Sequence, residues 1–196
     1  MRLNEVVKGL QELARSPVCF SRFAEGGPHI RVIRPMSGHD ANPEITDLCH
    51  DSREIVSGRP GVLFACVKGE HFDGHEFAKK AFDLGCVAFL CEHELSIEAS
   101  QIVVPDVRAI MGFVSAFLNG NPSEKMTMIG LTGTNGKTTT SYITRSILRE
   151  TKATVGMLGT VVYDDGTTEI DATRTTPEGP DVQAMLSKMV KNGAKF

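Results

Sequence analysis

The chain has no apolar run long enough to cross a membrane and no marked excess of charge of either sign. Its longest apolar stretches are far shorter than the ~20 residues that a spanning helix needs. The N-terminal sequence, MRLNEVVKGLQELARS, carries charges throughout, unlike a secretory signal. Lysine and arginine number 21 against 24 acidic residues, so the net charge is -3. These absences argue against a membrane protein and against nucleic acid as the main partner, and we expect a cytoplasmic protein.

Close cysteine pairs are also missing. The chain has five cysteines, an odd number. Cys66, Cys86 and Cys91 lie in hydrophobic runs typical of buried strands, which predicts reduced thiols in the core. A zinc site would recruit Cys86, Cys91 and His93, but the spacing lacks the C-x-x-C pairs of structural zinc sites.

Two histidines raise a second metal hypothesis. His71 and His75 have the i, i+4 spacing of a metal pair, but only if the segment is helical. Gly74 lies between them and favours a loop. Histidines that lie in a loop or contact a ligand are therefore the preferred interpretation.

The first half of the chain shows an α/β pattern after an irregular start. Residues 3–14 have leucine and valine at helical spacing, whereas prolines and glycines interrupt Ser16 to Pro43 and predict an irregular excursion rather than a core element. From Ile45 onward, short apolar runs alternate with helical stretches. Strands are predicted at 62–67, 86–91 and 101–104, and helices at 76–84, ended by Gly85, and at 106–118, with Asp106 as N-cap.

A polar stretch divides the chain. Asn119-Gly120-Asn121-Pro122-Ser123 is the best candidate linker. We therefore expect an irregular N-terminal segment with a short helix at 1–44, a domain at 45–121 that includes part of that segment, and the first part of a second domain at 122–196. The predicted elements of the second domain are a βαβ unit with strands at 126–131 and 154–158 around a helix at 138–150, a hairpin turning at Asp165-Gly166, and a helix at 180–191 with Gly193 as its C-cap.

The segment MTMIGLTGTNGKTTT, residues 126–140, predicts a phosphate-binding loop. Gly133 and Gly136 let the backbone turn its N–H groups onto an anion at the N-terminus of a helix, whose dipole also favours negative charge. Lys137 can reach the terminal phosphates and Thr138 can ligate Mg²⁺. The strict G-x-x-x-x-G-K-[ST] spacing asks for glycine where Leu131 stands, so the loop is a variant. A glycine-rich turn without a ligand would not explain the lysine and the three threonines.

The loop sequence Gly133-Thr134-Asn135-Gly136-Lys137-Thr138-Thr139 resembles the ATP loop of the Mur ligases, the cytoplasmic enzymes that build the peptide stem of bacterial peptidoglycan. Asp51-Ser52-Arg53 and the following VLFACVKGEHFDGHEFAKKAFDLG look like their UDP-binding N-terminal domain. Thr175-Thr176-Pro177-Glu178 is similar to a loop of the MurE type, which joins a diamino acid to UDP-N-acetylmuramoyl-L-alanyl-D-glutamate. The resemblance implies an α/β protein, in which a small UDP-binding domain precedes the first part of a P-loop, Rossmann-like ATPase domain.

The resemblance also implies the site residues. ATP and Mg²⁺ would be the cofactors, with Lys137 as the catalytic cation and Thr138 as the metal ligand. The residues implied to bind ATP are Gly133, Thr134, Asn135, Gly136, Lys137, Thr138 and Thr139. Those implied to bind the UDP-N-acetylmuramoyl-dipeptide are Ser52, Glu70, His71, Phe72, Arg174, Thr175 and Thr176. The second substrate would be a diamino acid, meso-diaminopimelate or L-lysine, and we expect a monomer.

Plainer interpretations stay open for several of these residues. Thr139 is also an ordinary first-turn helix residue, and Asp51-Ser52-Arg53 is also a polar turn after a strand. Phe72 is alternatively a core aromatic, Arg174 a solvated surface charge, and Glu178 an acid favoured by a helix dipole.

Complete enzymes of this family are about twice as long or more, so the sequence is interpreted as a fragment that cannot complete catalysis alone. Two rival hypotheses remain at this stage. One keeps the ATP loop but changes the substrate, as in folate polyglutamylation or cyanophycin synthesis. The other is a nucleotide-binding module without ligation.

Overall fold

The computed structural model describes residues 1–14, 30–36, 38–172 and 177–196. Within these residues the chain forms two compact units, Met1–Leu118 and Asn119–Phe196. The boundary falls at the start of the stretch that the sequence predicts as a linker. Within the described ranges, the helices are all too short or too polar to span a bilayer.

The first unit contains one five-stranded sheet. Its strands occur in the order β1-β5-β4-β3-β2, and β2 to β5 are parallel while β1 pairs antiparallel with β5. The strands are β1 (Arg31–Ile33), β2 (Asp47–Cys49), β3 (Val62–Ala65), β4 (Ala88–Cys91) and β5 (Ser100–Val103). The helices are α1 (Leu3–Ala14), α2 (Ala78–Asp83) and α3 (Val107–Leu118), with a 3-10 turn at Gly74–Phe77. The predicted strands and helices of 45–118 are confirmed, with shorter strands than expected.

Alternate residues of the central strands face two separate apolar clusters. Leu63, Ala88 and Ile102 belong to the cluster that contains the buried faces of α1 and α3. Phe64 and Phe89 belong to the cluster that contains the buried residues of α2. Because both faces of the sheet are covered, the strands are continuous hydrophobic runs rather than alternating ones.

The N-terminal segment contributes to this unit. Leu3, Val6 and Leu10 are fully buried in the core, so the predicted helix at 3–14 is confirmed. The expectation of an irregular excursion up to Pro43 is wrong for Arg31–Ile33, which forms the edge strand β1. This three-residue strand depends on pairing with β5, about 70 residues away in sequence, so local patterning does not reveal it. Residues 15–29 lie outside the described residues.

The second unit contains a small antiparallel sheet and two helices. The strands are β6 (Met157–Leu158), β7 (Val162–Asp164) and β8 (Glu169–Asp171), and the order is β6-β7-β8. The helices are α4 (Lys137–Glu150) and α5 (Gly179–Lys191), with a 3-10 turn at Pro122–Lys125. The hairpin at Asp165-Gly166 is confirmed, and so is Gly193 as C-cap, because its N–H donates to the Val190 carbonyl at a φ of +82°.

Two predictions for the second unit are wrong. Residues 126–131 form no strand, and the backbone link of this segment to the rest of the unit is the Thr127 N–H, which donates to the Lys195 carbonyl at 2.8 Å. The βαβ unit is also absent from the described residues, because β6 pairs antiparallel with β7 instead of parallel with 126–131. A strand requires a ladder partner, and the partner of 126–131 is not set by its own sequence.

A buried ion-pair network joins α4 to the hairpin. Asp164 on β7 accepts hydrogen bonds from Arg145 Nη1 at 2.7 Å and from Arg149 Nη2 at 2.5 Å. Arg145 also donates to Glu169 Oε1 on β8 at 2.8 Å. The network therefore fixes the helix that follows the glycine-rich loop to two strands.

Candidate functional site

The glycine-rich loop has the backbone shape that anion binding requires. Gly133 and Gly136 have φ angles of +145° and +79°, a region that side-chain-bearing residues rarely adopt. Helix α4 begins at Lys137, directly after Gly136. Because the cap residue is glycine, it has no side chain to bind the N–H groups of the first turn, which stay available to a ligand.

The Lys137 ammonium lies over the same loop. Its Nζ donates to the Gly133 carbonyl at 2.6 Å and lies 3.4 Å from the Thr134 carbonyl. The predicted loop residues Thr134, Asn135 and Thr139 are all exposed to solvent. The lysine ammonium and the glycine-rich backbone thus share one exposed surface, where a phosphate chain can reach both.

Sequence reasoning missed one hydroxyl at this site. Thr160 Oγ1 lies 3.3 Å from Thr138 Oγ1, although 22 residues separate them. Thr160 lies two residues after the end of β6. Polar residues at strand ends are frequent in binding sites, and this position could have marked Thr160 as a candidate. The two hydroxyls form a pair of oxygen donors beside Lys137.

A cavity of about 360 Å³ opens beside the loop. Lys137, Thr138 and Thr160 are among its polar lining residues. The remaining wall is mostly apolar and includes Met126, Ile129, Leu131, Leu148, Met157, Leu186 and Met189. The apolar wall cannot bind phosphate, so the loop geometry and not the cavity identifies the anion site.

The donor set at the loop fits Mg²⁺ only when it arrives with a nucleotide. Among the described residues, no three histidine, cysteine or acidic side chains cluster closely enough to hold a metal. The available ligands are hydroxyls such as that of Thr138. Mg²⁺ in nucleotide sites keeps several waters and takes only one or two protein oxygens together with phosphate oxygens. The site therefore fits a metal–nucleotide complex and not a resident metal ion.

In the first unit, Asp51-Ser52-Arg53 forms a tight turn after β2. The Asp51 carboxylate accepts hydrogen bonds from the Arg53 backbone N–H at 2.9 Å and from Arg53 Nη2 at 2.6 Å. These bonds from Arg53 lower the pKa of Asp51 to about 2. Ser52 is buried within this turn. Just before it, His50 Nε2 is buried without a hydrogen-bond partner in the described part of the chain.

The segment after β3 closes into a loop with a polar and aromatic tip. The Gly69 N–H donates to the Phe72 carbonyl at 2.9 Å, and Lys68 and Asp73 form an isolated antiparallel bridge. The predicted residues Glu70, His71 and Phe72 form the tip and are exposed. The alternative that Phe72 is a core aromatic is wrong, because 71% of its surface is accessible.

These two segments meet at one edge of the sheet. Because β2 and β3 are adjacent and parallel, their carboxyl ends lie side by side. The Ser52 turn follows the first and the 68–73 loop follows the second. In open α/β sheets, ligands bind outside the carboxyl ends of the strands. This edge is the candidate ligand site of the first unit.

The remaining predicted residues divide into three groups. Arg174, Thr175 and Thr176 lie outside the described residues. Glu178 is the N-cap of α5 and forms a capping box with Asp181, which accounts for it as a helix-terminal acid. The cysteines among the described residues are free, as predicted, and burial raises the pKa of Cys86 and of Cys91 to about 12.

Two family profiles match most of the chain. A profile described as "Mur ligase family, catalytic domain" matches residues 37–120, and one described as "Mur ligase middle domain" matches residues 131–196. The second match contains the glycine-rich loop and Lys137. The first contains the Ser52 turn and the 68–73 loop.

Curated relatives are named UDP-N-acetylmuramoyl-L-alanyl-D-glutamate–2,6-diaminopimelate ligase. The relative from Geobacillus thermodenitrificans is 41% identical over 79% of this chain and 31% of its own length. The relative from Clostridium botulinum is 38% identical over 75% of this chain and 31% of its own length. The chain thus spans about a third of the length of the curated relatives it matches.

Solved structures agree with these matches. A structure of a UDP-N-acetylmuramoyl-L-alanyl-D-glutamate–2,6-diaminopimelate ligase superposes with a TM-score of 0.56 at 25% identity, covering 78% of this chain and 31% of that one. A crystal structure of MurF from Acinetobacter baumannii has a TM-score of 0.53 at 23% identity, covering 92% of this chain and 32% of that one, and supports the fold alone. The profiles, the relatives and the α/β architecture agree, and the chain belongs to the Mur ligase family.

Proposed function

We propose that this chain is the nucleotide-handling part of an ATP-dependent ligase of peptidoglycan precursor synthesis. The ligase adds a diamino acid to UDP-N-acetylmuramoyl-L-alanyl-D-glutamate. The observation that carries the proposal is the exposed loop with two positive-φ glycines and Lys137 at the start of α4. The names of the relatives support the choice of substrate.

The reaction class follows from the family resemblance. A carboxylate oxygen of the substrate attacks the γ-phosphorus of ATP, the bond to the bridging oxygen breaks, and ADP leaves. The amine nitrogen of the diamino acid then attacks the carbonyl carbon of the acyl phosphate. An amide forms, and phosphate and a proton are released.

The loop can offset the repulsion between the substrate carboxylate and the phosphates of ATP in the first step. Two unit negative charges at about 4 Å repel each other by about 4 kcal/mol at an effective dielectric constant of about 20. In our proposal Lys137 moves from the loop carbonyls to the terminal phosphates, and the N–H groups of residues 133–136 bind the phosphate chain.

Thr138 is the proposed ligand for the Mg²⁺ that accompanies ATP. The metal, when bound, neutralises phosphate charge during the transfer. The Thr138 hydroxyl would hold the ion, and the Thr160 hydroxyl, 3.3 Å away, would orient the Thr138 hydroxyl. Neither residue needs to ionise for this role.

We place the UDP end of the substrate at the carboxyl edge of the first unit. The exposed ring of Phe72 offers an apolar face for the uracil, and the Glu70 carboxylate can accept hydrogen bonds from ribose hydroxyls. A carboxylate repels phosphate, so the diphosphate is assigned to His71 and Ser52 instead. Arg174, Thr175 and Thr176 keep their predicted role at the sugar–peptide part, and the cytoplasmic monomer stays a prediction.

The Lys137→Ala substitution in the full-length ligase tests the proposal. Loss of one electrostatic donor from a transition state costs about 3 kcal/mol, so kcat should fall by a factor of about 10² to 10³. Lys191→Ala, an exposed lysine on α5 of the same unit, is the matched control and should leave kcat unchanged.

The product of the full-length enzyme identifies the reaction. Mass spectrometry should detect the amide when ATP, the UDP-muramoyl dipeptide and a diamino acid are supplied together. Unchanged turnover of Lys137→Ala would refute the loop assignment. ATP hydrolysis that is indifferent to the UDP-muramoyl dipeptide would favour a nucleotide-binding module without ligation.

A further inference from the structure

A buried histidine lies at the edge of the sheet where we place the UDP end. The His75 side chain is only 6% exposed, and both of its ring nitrogens have partners. Nδ1 lies 2.5 Å from Asp73 Oδ1, and Nε2 lies 2.9 Å from the backbone nitrogen of Glu92. Neither contact belongs to the residues that the sequence predicts to bind substrate.

The two contacts determine where the ring proton sits. The Glu92 backbone N–H can only donate, so His75 Nε2 must accept and carries no proton. The proton of the neutral ring is therefore on Nδ1, which donates to Asp73. Asp73 Oδ1 also accepts the His75 backbone N–H at 3.0 Å. These hydrogen bonds from His75 lower the pKa of Asp73 and keep its carboxylate available as an acceptor.

The His75 ring connects the 68–73 loop, the end of β4 and the start of α3. Asp73 closes the 68–73 loop through its bridge to Lys68. Glu92 directly follows β4, and its Oε1 accepts the Val107 N–H at the start of α3 at 3.2 Å. His75 thus ties the base of the loop to the end of the neighbouring strand and, through Glu92, to a helix.

A second ring packs against His75. His93 stacks on His75 with a centroid distance of 4.2 Å and an interplanar angle of 18°. The stacking uses the face of the His75 ring and leaves both ring nitrogens to Asp73 and Glu92. A variant that keeps an aromatic ring at 93 should therefore keep the connection.

We propose that His75 is a positioning residue for nucleotide recognition: its neutral ring, protonated on Nδ1, holds the 68–73 loop against the end of β4 and so presents Glu70, His71 and Phe72 to a uridine diphosphate. The inference rests on the proposed function, which places the UDP end at this edge. A loop held before binding loses less conformational freedom on binding than a free one, and this raises affinity without any contact between His75 and the ligand.

Substitutions at position 75 separate the two bonds. His75→Phe keeps an aromatic ring and the backbone N–H that donates to Asp73, but it removes the side-chain bond to Asp73 and the acceptor of the Glu92 N–H. His75→Gln keeps an oxygen that can accept from Glu92 but loses the Nδ1 donor. His93→Phe is the control, because it removes a histidine at the same edge and keeps the stacking.

Titration of the 196-residue chain with UDP and, separately, with MgATP provides the test. His75→Phe should weaken UDP binding about tenfold or more, which corresponds to about 1.4 kcal/mol, while the affinity for MgATP stays unchanged. His75→Gln should lie between His75→Phe and the wild type, and His93→Phe should bind UDP within about twofold of the wild type. If His75→Phe does not fold, His75→Gln decides. Long-range ¹H–¹⁵N spectra of the wild type should show a proton on Nδ1 of His75 and none on Nε2.

The outcomes distinguish the proposed role of His75 from the proposed placement of the UDP end. Wild-type chain that binds MgATP but not UDP overturns the placement of the UDP end and this inference with it. Wild-type chain that binds UDP, with His75 variants of equal affinity, overturns this inference alone. An equal loss of UDP and MgATP affinity in the variants, or a proton on Nε2, also overturns it.

Discussion

Replacing Asp164 by asparagine removes the buried carboxylate that pairs with Arg145 at 2.7 Å and with Arg149 at 2.5 Å. The Asp164 side chain is 1% exposed, while those of Arg145 and Arg149 are 11% and 41% exposed. Loss of one partner from a buried ion pair typically costs about 3–5 kcal/mol, because the other charge stays buried and unpaired. Arg145 keeps Glu169 at 2.8 Å, and Arg149 is partly hydrated. We therefore expect Asp164→Asn to destabilise the second unit by about 2–3 kcal/mol.

Tyrosine fluorescence during urea unfolding measures this loss in the second unit selectively. The chain has no tryptophan and two tyrosines, Tyr142 and Tyr163, and both belong to that unit. The midpoint should fall while the slope of the free energy against urea stays the same. A changed slope would mean that the unfolding is no longer two-state and would invalidate the comparison.

The Glu169→Gln variant is the matched control. The Glu169 side chain is 46% exposed, so its ion pair with Arg145 is screened by water and should contribute less than about 1 kcal/mol. The reasoning fails if Asp164→Asn unfolds within about 0.5 kcal/mol of the wild type. It fails equally if Glu169→Gln is as destabilising as Asp164→Asn.

Two further predictions concern the candidate sites. Asp51 should titrate near a pKa of about 2 by ¹³C NMR, and its pKa should rise towards the ordinary ~3.9 in Arg53→Ala, which keeps only the backbone N–H donor. Because the folded-state pKa is depressed, the stabilisation by Asp51 is present above pH ~4 and is lost as the pH falls towards 2; a normal titration of Asp51 in the wild type would contradict the Asp51–Arg53 geometry. Gly136→Ala should cost about 1–2 kcal/mol of stability, since its φ is +79°, and should also weaken MgATP binding. Gly58→Ala has the same φ and equally open surroundings, so it should be strained alike but bind MgATP normally; equal ATP affinity in both variants would show that the shape of the loop does not matter.

Local patterning predicted most elements of the first unit. The hydrophobic runs at 62–67, 86–91 and 101–104 correspond to β3, β4 and β5 because both faces of these strands are buried. Asp106 was predicted as an N-cap, and its Oδ1 accepts the Ala109 N–H at 2.9 Å. Such signals reside in a few neighbouring residues and can be recognised without tertiary information.

The wrong predictions for β1 and for residues 126–131 both depend on long-range strand pairing. Neither β1 nor the segment 126–131 has a pattern that reveals its partner, and the first forms a strand while the second does not. The loop glycines and Lys137 follow from sequence, but the Thr160 hydroxyl reaches Thr138 only through the fold. The protonation pattern of His75 likewise depends on a backbone N–H 17 residues away.

The ammonium of Lys137 is already engaged by the carbonyl oxygens of Gly133 and Thr134 before any ligand arrives. The two carbonyl oxygens thus compete with any incoming anion for the ammonium. A weakly charged ligand gains too little to displace carbonyl oxygens that are held within the same chain, whereas a triphosphate offers several charged oxygens at once. If the loop binds nucleotide as proposed, breaking the resting contact is a fixed cost for every ligand, and the ligand with the most charged oxygens around the ammonium recovers it best.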